Sequence, residues 1–444
     1  MSLCFYAYFH FWYLFILVGS IVINWFISRI LVNTKSRFVL CCGIVLNVAV
    51  IFVFKYFDFF IENINILFKS SLPLLNILMP LGISFFTFQQ LSYIVDSYRG
   101  ETADHSFTEY ALFVSFFPQL IAGPIVSHKD MIHQFRDPDL KKINSDNFAK
   151  GLYHFSIGLA KKVLLADSLA EGVNWGYANI EKLGSFNVLL VVFFYSFQLY
   201  FDFSGYCDMA YGISECFNLK IPANFLSPYK ASSIGDFWKR WHTTLTRFLT
   251  NYIYIPLGGS RRGKTRTLIN IMLVFLISGL WHGANWTFVI WGAMHGLAMV
   301  LYRISNNLWD RIAKPIRIFF TYLFVSFAWI PFRAESLGKA IMVFSSTFSK
   351  PDFSLNKDFL SKYNFLEFTY PEEHISFLKN IVVSCPSVHM WIILALSVFI
   401  VFFTKNIHEK EFRPKAANAL TTIILLVWSI LSLSGMSTFL YFNF

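Results

Sequence analysis

The stretch TLINIMLVFLISGLWHGANWTFVIWGAMHGLAMVLY, residues 267–302, contains no Asp, Glu, Lys or Arg, yet holds His282 near its centre. As one straight helix it would be about 54 Å long at ~1.5 Å per residue, against a hydrocarbon core of about 30 Å. It must therefore break, tilt strongly or leave the lipid. Gly279 and Gly283 bracket the expected break, because Gly weakens a helix by about 1 kcal/mol relative to Ala. About 18 Å of helix then lies between the basic segment upstream and the break, which puts His282 near mid-membrane. Broken helices at that depth occur where they line a protein interior or a watery cavity. An ionisable side chain there is costly and marks function, and burial favours a neutral imidazole that can accept a proton. The bland alternative is a core histidine hydrogen-bonded between helices. Asn285 follows three residues on, where a helical turn would bring its amide alongside the ring. His295, in WGAMHG, reads equally well as packing between Gly292 and Gly296.

The rest of the chain agrees with a membrane setting. Of 444 residues 56% are hydrophobic and 14% charged, whereas soluble domains carry about 25% charged residues. Further uncharged stretches lie at 38–54, 74–95, 186–201, 318–332, 389–404 and 417–434. Together they predict an all-α polytopic integral membrane protein with about ten transmembrane helices. The opening apolar segment, Phe5–Ile27, reads as a span and not as a cleaved signal peptide. With no internal repeat, low-complexity tract or flexible linker, residues 1–444 read as a single domain.

The net charge of +11 is unevenly placed. Between Phe237 and Arg266 stand Lys239, Arg240, Arg247, Arg261, Arg262, Lys264 and Arg266 with no acid among them. Basic loops stay cytoplasmic, so this one is expected in the cytosol. Residues 350–379 mix lysines with Asp and Glu, which permits the outer face. Basic membrane flanks account for the charge without a nucleic-acid partner. The six cysteines form no CxxC pair and mostly lie in apolar runs. They read as small core residues, so neither a disulfide framework nor a metal site is expected. Residues 151–172, with Lys161, Lys162 and Asp167, suit an amphipathic helix lying along the membrane surface.

Two further polar groups carry candidate chemistry. In DFWKRWHTTLTRFLTNYIYIPLGGSRRGK, 236–264, a helix capped by Asp236 would place Trp238, Trp241 and Leu245 on one stripe, dipping into the cytoplasmic interface with His242 on it. Gly258-Gly259-Ser260 reads as a turn and lacks the spacing of a phosphate loop. In LYFDFSGYCDMAYG, 199–212, Asp202 and Asp208 stand about 120° apart around a helix, too far for one paired-carboxylate site. Asp202 would either orient an imidazole or serve as a polar anchor.

The succession YFDFSGYCDMA, NFLSPYKASSIGDFWKRWHTTLT, YIPLGGSRRG and GLWHGANWTFVIWGAMHG resembles the membrane-bound O-acyltransferase (MBOAT) family, in particular its bacterial branch of alginate O-acetylation proteins. Upstream, MPLGISFFTFQQLSYIVDSYRG and FPQLIAGPIVSHKDMIHQF fit that branch, as does the ending FLYFNF. One departure is that the branch carries a further segment ahead of the one that opens here. The resemblance implies broken or re-entrant helices around a central tunnel, with the family's invariant histidine at His282 and its second at His242. It also implies an acyl group passed from a cytosolic thioester, acetyl-CoA or an acyl carrier protein, with no bound cofactor.

The expected activity is acetyl transfer towards hydroxyls of an extracellular polysaccharide, from the cytoplasmic (inner) membrane of a bacterium. His282 would act as base on the accepting hydroxyl, with Trp281 and Asn285 in support. His242, beside Trp241, would act on the donor side. Arg261, Arg262 and Lys264 would either attract the phosphates of coenzyme A or simply anchor the loop inside. A separate extracytoplasmic esterase-like protein is the expected partner. The alternatives are D-alanyl transfer to teichoic acid and a non-enzymatic glycan flippase, which would need no paired histidine motifs.

Overall fold

The structure, a computed structural model, describes residues 2–102, 105–349, 351–433 and 440. Apart from Leu440, the FLYFNF ending lies outside them. Among the described residues the fold is all-helical, and its single extended pairing is an antiparallel bridge between Phe225 and Trp241. At the centre stands the 32-residue helix Ser185–Cys216, whose apolar window is 83% buried. A helix that is apolar all round needs neighbours on every side, and this one has them.

Its antiparallel partner is a continuous helical stretch, Ser145–Ala160, a π-helical turn Lys161–Ala166 and then Asp167–Ala178. The two backbones approach closely where small residues face each other: a Cβ on Gly158 would lie 2.6 Å from the Gly205 carbonyl oxygen. The surface-lying helix expected over 151–172 is therefore an inner helix. Its basic edge turns inward because the central helix supplies acids: Lys161 pairs with Asp208 at 2.5 Å, and Lys162 with Asp202 at 2.8 Å and Asp167 at 2.7 Å. The separation of Asp202 and Asp208 around the helix gives each its own lysine.

Among the described residues seven helices are long and apolar enough to cross a membrane, where hydropathy led to an expectation of roughly ten. Helices enclosed by protein need not be apolar throughout: Ile83–Arg99, of 17 residues, buries Gln89, Gln90 and Asp96, and the 145–178 stretch buries both lysines. At the N-terminus a short helix, Ser2–Phe9, gives way at His10 to the spanning helix Phe11–Thr34.

The 267–302 run folds as a hairpin, Lys264–His282 and Trp286–Trp309, with the break at 283–285. Gly279 does not end the first helix. It lets the two arms touch, since a Cβ there would meet the Phe288 carbonyl oxygen at 2.3 Å. The unbroken arm carries His282 about 27 Å along the axis from Lys264, further than the ~18 Å expected.

Arg261 and Arg262 are exposed in the turn before that arm, and this predicts sidedness. With native cysteines removed, Ser260→Cys should react with an impermeant maleimide only after the cells are opened. Asn356→Cys should react in intact cells. Labelling of Ser260→Cys in intact cells would reverse the topology.

Candidate active site

His282 is the last residue of the Lys264–His282 helix and is 5% exposed. Aromatic rings enclose it: Trp281 at 4.8 Å, Trp291 edge-on at 4.9 Å and Phe332 at 5.2 Å between centroids. Trp281 in turn stacks on Phe88 at 5.1 Å and meets Phe85 at 5.6 Å. The FF.F pattern of the Ile83–Arg99 helix thus forms one wall of the site. The Trp281 ring also lies 6.2 Å from the ring of His242. One indole is therefore the shared neighbour of two imidazoles that are 40 positions apart in the chain.

His242 departs from the sequence expectation in its local structure. The helix anticipated from Asp236 is in fact two pieces, Ile234–Trp238 and Thr243–Leu249, with His242 between them at φ 46° and ψ 52°. Ser233, not Asp236, caps the first piece. A left-handed conformation in a non-glycine residue is uncommon and costs of order 1 kcal/mol or more, and such residues cluster at functional sites. His242 is also fully buried within the protein, not displayed on an exposed helix face. The charge of Arg247, expected beside it, goes to Asp130, which it meets at 2.5 Å.

Asn224 escaped the sequence reading. Its carboxamide oxygen lies 3.1 Å from Nδ1 of His242 and accepts from Thr244 Oγ1 at 2.9 Å and Thr244 N at 3.3 Å. Its amide nitrogen donates to Cys207 Sγ at 3.3 Å. A carboxamide oxygen only accepts, so Nδ1 of His242 carries the hydrogen and Nε2 keeps its lone pair. Thr244 Oγ1 also accepts from the backbone of Ile125 at 2.9 Å, which ties the AGPIV segment to the site. The sequence signal for Asn224 is a polar residue at the head of the apolar NFLSPY segment. Asn224→Leu should lower turnover at least about 10-fold, because His242 loses the acceptor that fixes its tautomer and ring orientation within the centre it shares with His282. Wild-type turnover in a variant of unchanged melting temperature would show that this bond does not matter.

The other expected residues divide. Trp241 is buried beside Trp329 at 5.1 Å and belongs to the core under the site. Asn285 does not turn back on His282. It caps the Trp286–Trp309 helix by accepting from Thr287 N at 3.0 Å and donates to the Glu335 carbonyl at 3.1 Å. The helix it was expected to continue has ended. Asp202 orients no imidazole: it binds Lys162 and the backbone of Leu440. Arg261 and Arg262 lie at the opposite end of the helix from His282. His295 sits in an aromatic cage with Trp291 at 5.0 Å and Trp238 at 5.1 Å. Crevices of about 1100 and 520 Å³ flank the bundle, and neither is lined by His242 or His282.

Two buried imidazoles within an apolar, aromatic enclosure suit proton transfer to and from a bound hydroxyl. The buried indole N–H groups of Trp281 and Trp291 have no hydrogen-bond partner among the described residues. No group of three or more metal-ligating side chains occurs among the described residues.

Packed apolar helices with buried histidines beside a helix break define a polytopic membrane protein with a candidate site in its interior, and the model of the membrane-bound O-acyltransferase family matches residues 10–330. The chain belongs to that family and is an acyltransferase. It is 39% identical to the peptidoglycan O-acetyltransferase of Helicobacter pylori, covering 100% of this chain and 90% of that one. To the probable alginate O-acetylase AlgI of Pseudomonas aeruginosa it is 38% identical, covering 78% of this chain and 68% of the other. The teichoic acid D-alanyltransferase of Bacillus subtilis is 25% identical over 68% of this chain and 80% of its own.

Proposed function

We propose that this protein moves an acetyl group from a cytosolic thioester, acetyl-CoA or an acyl carrier, to a hydroxyl on the far side of the bacterial cytoplasmic membrane, for O-acetylation of a cell-wall or extracellular polysaccharide. The observation that carries it is the pair of buried imidazoles that share Trp281 as a neighbour. Activated thioesters are cytosolic and the polymer's hydroxyls are outside, so a membrane-embedded site resolves a topological problem. The whole-chain similarity to an enzyme named for peptidoglycan, against 25% identity to the D-alanyl enzyme, favours acetyl and a glycan acceptor over the rival.

His282 removes the proton as the hydroxyl oxygen attacks the thioester carbonyl. The tetrahedral oxyanion then collapses, the C–S bond breaks, and the leaving thiolate takes a proton from the imidazolium. Indole N–H donors at the oxyanion would act as preorganised electrostatic stabilisers. Because His242 is buried beside the same indole, both histidines are read as one centre and not as opposite ends of a tunnel. The bilayer is the protein's setting; on intact polymer a separate extracytoplasmic esterase-like protein would relay the acetyl group from the first acceptor hydroxyl, whereas short soluble glycan oligomers would themselves serve as that first acceptor.

The test is purified protein in proteoliposomes, given radiolabelled acetyl-CoA outside and soluble glycan oligomers inside. Thiol release with labelled ester in the lumen is expected. Labelling only with a D-alanyl carrier protein would support the rival, and glycan movement without either donor would support a flippase.

A further inference from the structure

Lys55 is the one charged residue between Arg37 and Asp58. It lies in the π-helical turn Phe52–Tyr56, within a 37–68 helical span whose apolar window is only 17% buried. Its ammonium does not meet a carboxylate: no ion pair of Lys55 occurs among the described residues, and nearby Asp58 is occupied by the backbone of Leu75 and Asn76. Instead Nζ donates to the carbonyls of Trp281 at 2.6 Å and His282 at 3.0 Å, and lies 6.0 Å from the centroid of the Trp281 ring. The next residue, Tyr56, donates its hydroxyl to the carbonyl of Leu280 at 2.5 Å.

The last carbonyls of a helix have no intrahelical partners and carry its negative end. Here the chain turns at once, with Gly283 at φ −165° instead of in a left-handed cap, and its N–H reaches Gly279 O only at 3.4 Å. The carbonyls of residues 280–282 are held from outside by two consecutive residues of another helix. A neutral donor suffices for such a bond, as Tyr56 demonstrates. A cation in an apolar wall is costly, and a well-packed apolar residue is often neutral or better for stability. What distinguishes this cation is its place, against the backbone of His282 itself.

We propose that Lys55 is a positioning residue for His282: by binding the Trp281 and His282 carbonyls it fixes the last turn of the helix and with it the imidazole. The inference rests on the reading of His282 as the base. Displacing a reacting group by 1 Å can cost about 100-fold in rate, so a fixed terminal turn bears directly on catalysis.

The test uses full-length protein in lipid nanodiscs with acetyl-CoA as donor. Lys55→Met should lower kcat about 10–100-fold, with KM within about threefold and the melting temperature nearly unchanged. Lys55→Arg, which keeps the donors and the charge, should restore most of kcat. In a His282→Ala background, Lys55→Met should cause no further loss, because it acts through the ring already removed. Wild-type kcat in Lys55→Met, or a further loss in the His282→Ala background as large as in wild type, overturns the proposal. Should Lys55→Met fail to fold, Tyr56→Phe decides: a severalfold fall in kcat supports the clamp and an unchanged kcat overturns it. If His282→Ala alone retains full turnover, the assignment of the base has failed, a result distinct from any outcome at Lys55.

Discussion

His282→Ala is expected to abolish polymer acetylation in cells and to lower turnover of the purified protein about 10²–10⁴-fold, the usual contribution of a general base. The fold should survive. The ring fills a pocket between Trp281, Trp291 and Phe332, but the stacking of Trp291 on Trp329 at 5.7 Å and of Trp281 on Phe88 persists without it. Acetyl content of the polymer, membrane abundance and melting temperature should be measured together. Retained acetylation, or loss of abundance and acetylation in step, would leave His282 a structural residue.

His242→Ala should be nearly as damaging, and the double variant no worse than the more damaged single one. Residues that act as one catalytic unit are strongly non-additive, and these two share Trp281 as a common neighbour. Donor affinity separates this from a division of labour along a tunnel. Titrated with a non-hydrolysable acetyl-CoA analogue, wild type and both single variants should bind alike while turnover is lost in both. A binding defect confined to His242→Ala would return that histidine to the donor side. Additive losses in the double variant would mean that the rings act in separate steps.

Several features were legible along the chain. An uncharged run too long for one span required a break around His282, and its ionisable ring in an apolar setting made it a candidate. Charge asymmetry set the expected sidedness, and ordered motifs pointed to the family to which the chain belongs. Among the described residues the seven apolar spans were legible because hydropathy is local.

The remaining features depend on contacts between distant segments. Nothing in periodicity tells whether Lys161 and Lys162 face headgroups or the acids of a neighbouring helix, since both placements satisfy an amphipathic pattern. The left-handed turn at His242 is imposed by pairing of residues 223–226 with 240–244, where Leu226 N bonds Arg240 O and Thr243 N bonds Asn224 O. Helix propensity alone would run straight through it. Asn224 and Lys55 reach their histidines across 18 and 227 positions of sequence. Polar groups in a membrane interior must find partners wherever the packed helices offer them, and that search is settled in three dimensions, not along the chain.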